Sequence, residues 1–192
     1  MSKEIEIEFK NLLSKKEFES LKKSFGIEDR SFTSQVNHYF DSEDFKLKEL
    51  GSALRIRMKN DKAVLTLKEP AEVGLLETHQ PVEAEEVDSY LKGHAFPPGE
   101  VVDRLTELSI DMDCLSYFGT LQTNRAEADY KGGLLVLDHS SYLNFEDYEI
   151  EYEVKDFQSG KNLFNQLLEE HRIPIRETEN KIKRFYLAKF NS

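Results

Sequence analysis

The chain has 192 residues, of which 39% are hydrophobic and 11% aromatic, and its formal net charge is -11. This length fits one domain with a real core, and the acidic charge argues against partners such as nucleic acid or an anionic membrane surface. The single cysteine, Cys114, excludes an internal disulfide framework, and no apolar run approaches the roughly 20 residues needed to span a bilayer. We expect a cytoplasmic protein without a signal peptide, in which Cys114 is a small buried residue.

The first predicted element is a strand over residues 4–10, in which apolar and charged residues alternate strictly. Its charged face carries Glu4, Glu6, Glu8 and Lys10, about 7 Å apart along the strand. A second acidic strand follows late in the chain and carries Glu149, Glu151 and Glu153 on one face. Glutamate is uncommon in strands, so two acidic faces indicate a cation, and we predict a divalent metal ion. The alternative for the first strand is a solvated edge that uses charge against aggregation.

Between these strands, the pattern predicts a helix, several strands and a hairpin. Ser14 is the expected N-cap of a helix that ends near residue 24, and strands are predicted over 35–40, 53–59, 63–68 and 75–82. A helical turn is predicted over 44–50, and a hairpin at Asn60-Asp61 joins the second and third of these strands. Arg55 and Arg57 share one face, and Lys68 lies on the next strand. Phosphate binding and cross-strand ion pairs with glutamates both explain the two arginines.

The middle of the chain, about residues 83–116, breaks the alternation, and we predict a helical insertion with helices over 83–91 and 103–108. Strands return over 118–130, 134–142 and 148–154, and they carry Arg125 and Asp138 in addition to the second acidic face. Helices are then predicted over 159–171 and 178–190, and the second of these starts around Lys181.

These elements predict an α+β fold in which six to eight strands have one apolar and one polar face. If the sheet closes into a barrel, the polar faces line its lumen and the apolar faces pack under helices outside. Such a lumen would have carboxylates on one wall and arginine and lysine on the other. Arginine binds phosphate oxygens bidentately, and hard divalent cations take carboxylate oxygens, so the lumen suits a polyphosphate with metal ions.

The chain resembles the CYTH superfamily, the triphosphate tunnel metalloenzymes. Glu6-x-Glu8-x-Lys10 is similar to the ExExK signature of that family, and Arg55-x-Arg57 to its first basic strand. Further residues match in order: Lys68, Arg125, Asp138, the closing pair Glu151-x-Glu153, and Lys181 at the start of the final helix. The pair Glu149-x-Glu151 matches almost as well, so the register of the closing pair stays open. The resemblance covers nearly the whole chain.

The resemblance implies an eight-stranded antiparallel tunnel in one domain over residues 1–192, with helices outside. It implies that Mg²⁺ or Mn²⁺ is held by Glu6, Glu8, Asp138, Glu151 and Glu153. It also implies that a triphosphate is bound by Lys10, Arg55, Arg57, Lys68, Arg125 and Lys181. The proposed catalytic residues are Lys10, Glu6 and Glu8, and Lys10 would orient the nucleophile.

The expected function is metal-dependent hydrolysis of a small-molecule triphosphate, with inorganic triphosphate as the first choice of substrate. An adenylate cyclase and a thiamine triphosphatase of the same family remain alternatives. An alternative of another class is a non-catalytic module that binds polyphosphate or a nucleotide, although a pure anion binder gains nothing from so many glutamates. Pairing of the long helices would give a homodimer, and the sequence does not decide this point.

Overall fold

The computed structural model describes residues 3–190. The strands are β1 (Lys3–Leu13), β2 (Thr33–Ser42), β3 (Ala53–Lys59), β4 (Lys62–Pro70), β5 (Leu75–Val82), β6 (Leu115–Tyr130), β7 (Gly133–Tyr142) and β8 (Phe145–Val154). The α-helices are α1 (Lys15–Ser24), α2 (Lys46–Glu49), α3 (Val87–Leu91), α4 (Glu100–Glu107), α5 (Phe157–Glu170) and α6 (Lys181–Phe190). Short 3-10 turns cover Asp29–Ser31, Ala84–Glu86 and Met112–Cys114.

The eight strands form a closed barrel in the order β1-β5-β4-β3-β2-β6-β7-β8, which confirms the predicted fold class. The registers β1/β8, β2/β3, β3/β4, β4/β5, β6/β7 and β7/β8 are antiparallel. The predicted hairpin between β3 and β4 turns at Asn60 and Asp61, whose φ angles are 51° and 59°. Positive φ at both central residues is the geometry of a two-residue hairpin loop of type I′.

The chain divides into two compact units, residues 1–5 with 35–120 and residues 6–34 with 121–192. In the first unit, apolar residues of β2, β3 and β4 such as Phe40, Ile56 and Leu67 pack with α2, α3 and α4. In the second unit, Leu137, Ile150 and other residues of β1, β6, β7 and β8 pack with α1 and α5. The description of the chain as one domain with a helical insertion stays a prediction.

Helix α1 begins where the sequence predicts. The Ser14 hydroxyl accepts a hydrogen bond from the Glu17 backbone, and the Glu17 carboxylate accepts one from the Ser14 backbone N–H at 2.6 Å. This reciprocal capping box satisfies backbone donors that a helix start leaves without partners. Glu17 also accepts two hydrogen bonds from Arg176, at 2.9 and 3.0 Å, which tie the segment before α6 to the start of α1.

Cys114 is exposed, so the prediction that it is buried is wrong. It closes a 3-10 turn before β6, where its thiol donates to the Asp111 carboxylate at 3.4 Å, so the side chain has a polar partner at the surface instead of a place in the core. Within residues 3–190, no helix is long and apolar enough to cross a membrane.

Candidate functional site: two carboxylate clusters and a basic strand

The polar face of the second unit carries a first group of carboxylates, Glu6, Glu8 and Glu153, here named the outer cluster. Each offers a carboxylate oxygen, and these oxygens lie within 4.8 Å of one another. The cluster forms because β1 and β8 pair in the register that places Glu8 directly opposite Glu153. All three residues are half-buried. Hard divalent cations take oxygen ligands of this kind, so the cluster fits Mg²⁺ or Mn²⁺.

Charge and burial shift the pKa values in and beside the outer cluster. Burial, together with repulsion from the neighbouring glutamates, raises the pKa of Glu153 to about 7, against the opposing attraction of Arg125. Burial lowers the pKa of Lys10, but attraction to Glu8 and the carboxylates of β8 outweighs it, so the pKa is raised overall. Lys10 makes an ion pair with Glu8 and stays charged beside the cluster.

A second group of carboxylates, Asp138, Glu149 and Glu151, is named the inner cluster. Its oxygens also lie within 4.8 Å of one another, but its residues are buried, with at most 4% of any of them exposed. The Arg125 guanidinium donates three hydrogen bonds to this cluster. Its Nε donates to Asp138 at 2.8 Å, and its Nη2 donates to Asp138 and to Glu151 at 2.6 Å each. Its Nη1 lies 3.7 Å from Glu153, so Arg125 stands beside both clusters.

Helix α6 adds two more cations to the inner cluster. The Lys181 ammonium lies 2.9 Å from Asp138 and 2.5 Å from Glu149, and it also contacts Glu151. Arg184, one turn later, pairs with Glu149 at 2.5 Å. Burial alone would raise the pKa values of Asp138 and Glu151, but attraction to Arg125 and Lys181 lowers both instead.

Burial raises the pKa of Glu149 to about 7, although Lys181 and Arg184 oppose this shift. Sequence analysis missed Arg184, although its spacing of three residues from Lys181 places both on one helix face. Arg125 lies among the carboxylates, so the expected separation of acidic and basic residues onto different walls is wrong for this residue. Buried carboxylates require nearby counter-ions, which explains the mixing.

The first unit carries the predicted basic strand, β3. Arg55 is buried and lies opposite Thr66, and Arg57 is half-buried and lies opposite Asn37 of β2. The Arg57 Nε donates a hydrogen bond to the Asn37 side-chain oxygen at 3.0 Å. Asn37 is only 2% exposed, so this amide is a fixed partner that holds the guanidinium by its Nε edge. Sequence analysis missed Asn37, because the strand pattern does not reveal which residue lies opposite an arginine.

Lys68, the remaining predicted basic residue of the first unit, makes an ion pair with Glu77 of β5. Glu77 in turn lies 3.3 Å from Nε2 of His79, which is 3.1 Å from Glu4. Thr66 fixes the other ring nitrogen of His79 at 3.0 Å. A chain of polar contacts therefore runs from the lysine through a carboxylate to the histidine.

The structure places the predicted residues in distinct groups. The structure brings Glu6, Glu8 and Glu153 together in the outer cluster, with Lys10 beside it. It brings Asp138, Glu151, Arg125 and Lys181 together in and around the inner cluster. In the first unit it places Arg55 and Arg57 on one strand and Lys68 on the next. These groups offer hard oxygen ligands for metal and guanidinium and ammonium groups for phosphate.

The chain is similar to known proteins over nearly its whole length. A model of the CYTH domain family matches residues 4–186 of the chain. A Bacillus subtilis (strain 168) protein named "Putative triphosphatase YjbK" is 56% identical over 192 residues, which is 100% of both chains.

Two solved structures are similar to the whole chain. A Bacillus halodurans protein described as a "putative adenylate cyclase" is 47% identical, with a TM-score of 0.93, and the match covers 97% of this chain and 100% of that one. The Hippeastrum protein HpAC1, described as a "putative adenylyl cyclase" with a dominant triphosphatase activity, is 25% identical with a TM-score of 0.79. That match covers 96% of each chain.

Proposed function

Because the chain belongs to the CYTH domain family, we propose that it is a metal-dependent triphosphatase that hydrolyses inorganic triphosphate. Its 56% identity to the Bacillus subtilis protein named "Putative triphosphatase YjbK" supports this proposal over the full chain length. The triphosphatase activity described for HpAC1 supports it at lower identity.

The observation that carries the proposal is the outer cluster, Glu6, Glu8 and Glu153. Three half-buried carboxylates lie close enough for their oxygens to share one ion, and lysine and arginine stand beside them. Mg²⁺ or Mn²⁺ bound there would neutralise phosphate charge and orient water for attack on the terminal phosphorus. A non-catalytic polyphosphate binder would need the cations but has no use for this carboxylate group.

The basic residues would bind the phosphate chain and stabilise the charge that develops on its oxygens. In the first unit we assign this role to Arg55, Arg57 and Lys68. In the second unit we assign it to Arg125, and we propose that Lys10 orients the attacking water. Water would attack the terminal phosphorus and the bond to the bridging oxygen would break, which releases orthophosphate and diphosphate.

The family resemblance also assigns Asp138 and Glu151 to the metal and Lys181 to the substrate. In the structure the Lys181 ammonium makes ion pairs with both Asp138 and Glu151, and it donates a hydrogen bond to Glu151. We therefore place the metal of the substrate-free protein at the outer cluster.

A second candidate function is an adenylate cyclase. The specific observation in its favour is the Bacillus halodurans structure, whose TM-score is 0.93 and which is described as a "putative adenylate cyclase". A cyclase would join the ribose 3′ oxygen to the α-phosphorus of ATP and release diphosphate, so its products differ from those of a triphosphatase.

The test measures orthophosphate, diphosphate and cyclic AMP released from inorganic triphosphate, ATP and thiamine triphosphate, with Mg²⁺ or Mn²⁺ and with a chelator. We expect fast, chelator-sensitive orthophosphate release from inorganic triphosphate. The rate should fall at least about 100-fold in Glu8→Gln, because the variant lacks a ligand of the metal ion that would neutralise the phosphate charge. The matched control is Glu169→Gln on the exposed face of α5, which should retain activity. Cyclic AMP from ATP would favour the cyclase instead. Tight binding of triphosphate without any turnover would leave only the binding module.

A further inference from the structure

We propose that Glu4, Glu77 and His79 form a binding site for Zn²⁺, in which Thr66 holds the imidazole ring in place. Each of the three residues offers one ring nitrogen or carboxylate oxygen, and these atoms lie within 4.8 Å of one another. The three residues belong to the first unit, and none of them is a member of the outer or the inner cluster. The proposal is independent of the proposed function, because no step of the reaction is assigned to these residues.

The first support is the geometry around one ring nitrogen. His79 Nε2 lies 3.1 Å from Oε1 of Glu4 and 3.3 Å from Oε2 of Glu77. Zinc binds nitrogen and oxygen ligands at about 2.0–2.1 Å in a tetrahedron, and two ligands of such a tetrahedron lie roughly 3.3 Å apart. Two of the three ligand pairs therefore have the separation that a shared Zn²⁺ requires. The side chain of Glu4 is 69% exposed, so it can adjust the third pair.

The second support is the strand register, which fixes the ring of His79. Strands β4 and β5 pair so that His79 lies directly opposite Thr66. The hydroxyl of Thr66, a residue that is only 2% exposed, lies 3.0 Å from Nδ1 of His79. With Nδ1 held by this contact, Nε2 is the ring nitrogen that faces the two carboxylates. A histidine that binds a metal ion almost always has its other ring nitrogen held by a hydrogen bond in this way.

Glu77 is held by the same register. It lies directly opposite Lys68, and its Oε1 makes an ion pair with the Lys68 ammonium, while its Oε2 is the oxygen near His79. Carboxylates that bind metal ions are themselves oriented by hydrogen bonds. Lys68 supplies such a partner through the oxygen that does not face the ring. Two of the three proposed ligands are therefore fixed before an ion arrives.

The third support is the chemistry of the donor atoms. One imidazole and two carboxylates suit Zn²⁺, and three protein ligands leave the fourth tetrahedral position for water. The outer and inner clusters contain only carboxylates, which suit Mg²⁺ and Mn²⁺. The proposed site therefore differs from both clusters in the ion that it prefers, and a nitrogen ligand identifies it by experiment.

The experiment follows the imidazole nitrogens by NMR in protein labelled with ¹⁵N-histidine, while Zn²⁺ is added in the presence of excess Mg²⁺. Mg²⁺ prefers sites made only of oxygen and leaves imidazole to zinc. We expect the Nε2 signal of His79, assigned by its absence from His79→Gln, to move as Zn²⁺ binds. His139 is the internal control, because its Nε2 lies 3.0 Å from a single carboxylate, that of Glu146. The signal of His139 should need at least about tenfold more Zn²⁺ to move.

Two variants test the other parts of the site. Glu4→Gln removes a charged ligand, and Thr66→Val removes the contact that holds the ring but keeps the shape of the side chain. Each should raise the Zn²⁺ concentration that shifts half of the His79 signal by at least about tenfold. Glu83→Gln is the matched control, because Glu83 is an exposed carboxylate that follows directly after β5. This control should leave that concentration unchanged.

Three results would overturn the proposal. The first is a His79 signal that does not move with Zn²⁺. The second is an equal response of His79 and His139, which is the behaviour of adventitious binding to any histidine. The third is a folded Glu4→Gln or Thr66→Val variant that responds to Zn²⁺ like the wild type. If a variant fails to fold, the comparison of His79 with His139 in the wild type still decides the matter.

Discussion

The contacts of Arg125 predict a large loss of stability when its charge is removed. Arg125 is 11% exposed and makes three hydrogen bonds of 2.6–2.8 Å to Asp138 and Glu151. Removing one partner from a buried ion pair leaves carboxylates in a poorly solvated site, which costs about 3–5 kcal/mol. We therefore expect Arg125→Met to lower the free energy of unfolding by about 4 kcal/mol, which is a large part of the 5–15 kcal/mol typical of a folded protein.

The assay is equilibrium unfolding in urea, followed by circular dichroism at neutral pH without added metal. The matched control is Arg30→Met, since Arg30 pairs with Glu28 in a position where its side chain is 84% exposed, and an exposed pair of this kind contributes little. In a double mutant with Asp138→Asn, the two losses should be less than additive, because the variants remove the same interaction. A loss below about 1 kcal/mol for Arg125→Met would show that the inner cluster does not depend on this guanidinium.

Three further predictions concern single contacts. Burial raises the pKa of Glu17, but its hydrogen bonds to Arg176 and the N-cap serine outweigh this and lower it. A carboxylate whose pKa is lower in the folded than in the unfolded state stabilises the fold at pH values above the unfolded-state pKa. Glu17→Gln should therefore lower the free energy of unfolding by about 1–2 kcal/mol at pH 7, and this loss should shrink as the pH falls below about 4.5. In urea unfolding, Gly160→Ala should cost about 1–3 kcal/mol, since a Cβ at Gly160 would lie 2.5 Å from a valine methyl group of β8. Asn37→Ala should raise KM for triphosphate roughly tenfold with a smaller effect on kcat, as measured by steady-state kinetics, because Arg57 loses the acceptor at its Nε.

Each of these predictions has a clear contrary result. A cost of Glu17→Gln that stays constant from pH 7 to pH 3 would show that the charge of the carboxylate is not involved. Wild-type stability of Gly160→Ala would mean that the packing between α5 and β8 relaxes easily, and Asn162→Ala on the exposed side of α5 gives the comparison. An unchanged KM in Asn37→Ala would separate this amide from substrate binding.

Much of the fold could be predicted because side chains alternate along a strand with a period of two. The alternation in β1 and β8 and the basic face of β3 identified the polar faces before any pairing was known. The cap at Ser14 and the turn at Asn60 follow from equally local rules. Local patterns therefore predicted most of the elements and the charged faces of the strands, but not the site residues Asn37 and Arg184.

The division of the carboxylates could not be predicted, because it depends on strand register. Alternation places Glu149, Glu151 and Glu153 on one face, but the pairing of β1 with β8 places Glu153 opposite Glu8 and Glu151 opposite Lys10. This register assigns Glu153 to the outer cluster, and the return of α6 delivers Lys181 to the inner one. Contacts between residues far apart in the chain leave no period in the sequence.

The central claim is that a divalent ion at the outer cluster drives triphosphate hydrolysis. It is tested most directly by the free Mn²⁺ concentration that gives half-maximal rate in wild type and in Glu153→Gln. Loss of one of three carboxylate ligands should raise that concentration at least about tenfold. The exposed Glu146→Gln on the same strand should leave it unchanged. An equal Mn²⁺ requirement in the wild type and Glu153→Gln would contradict the account.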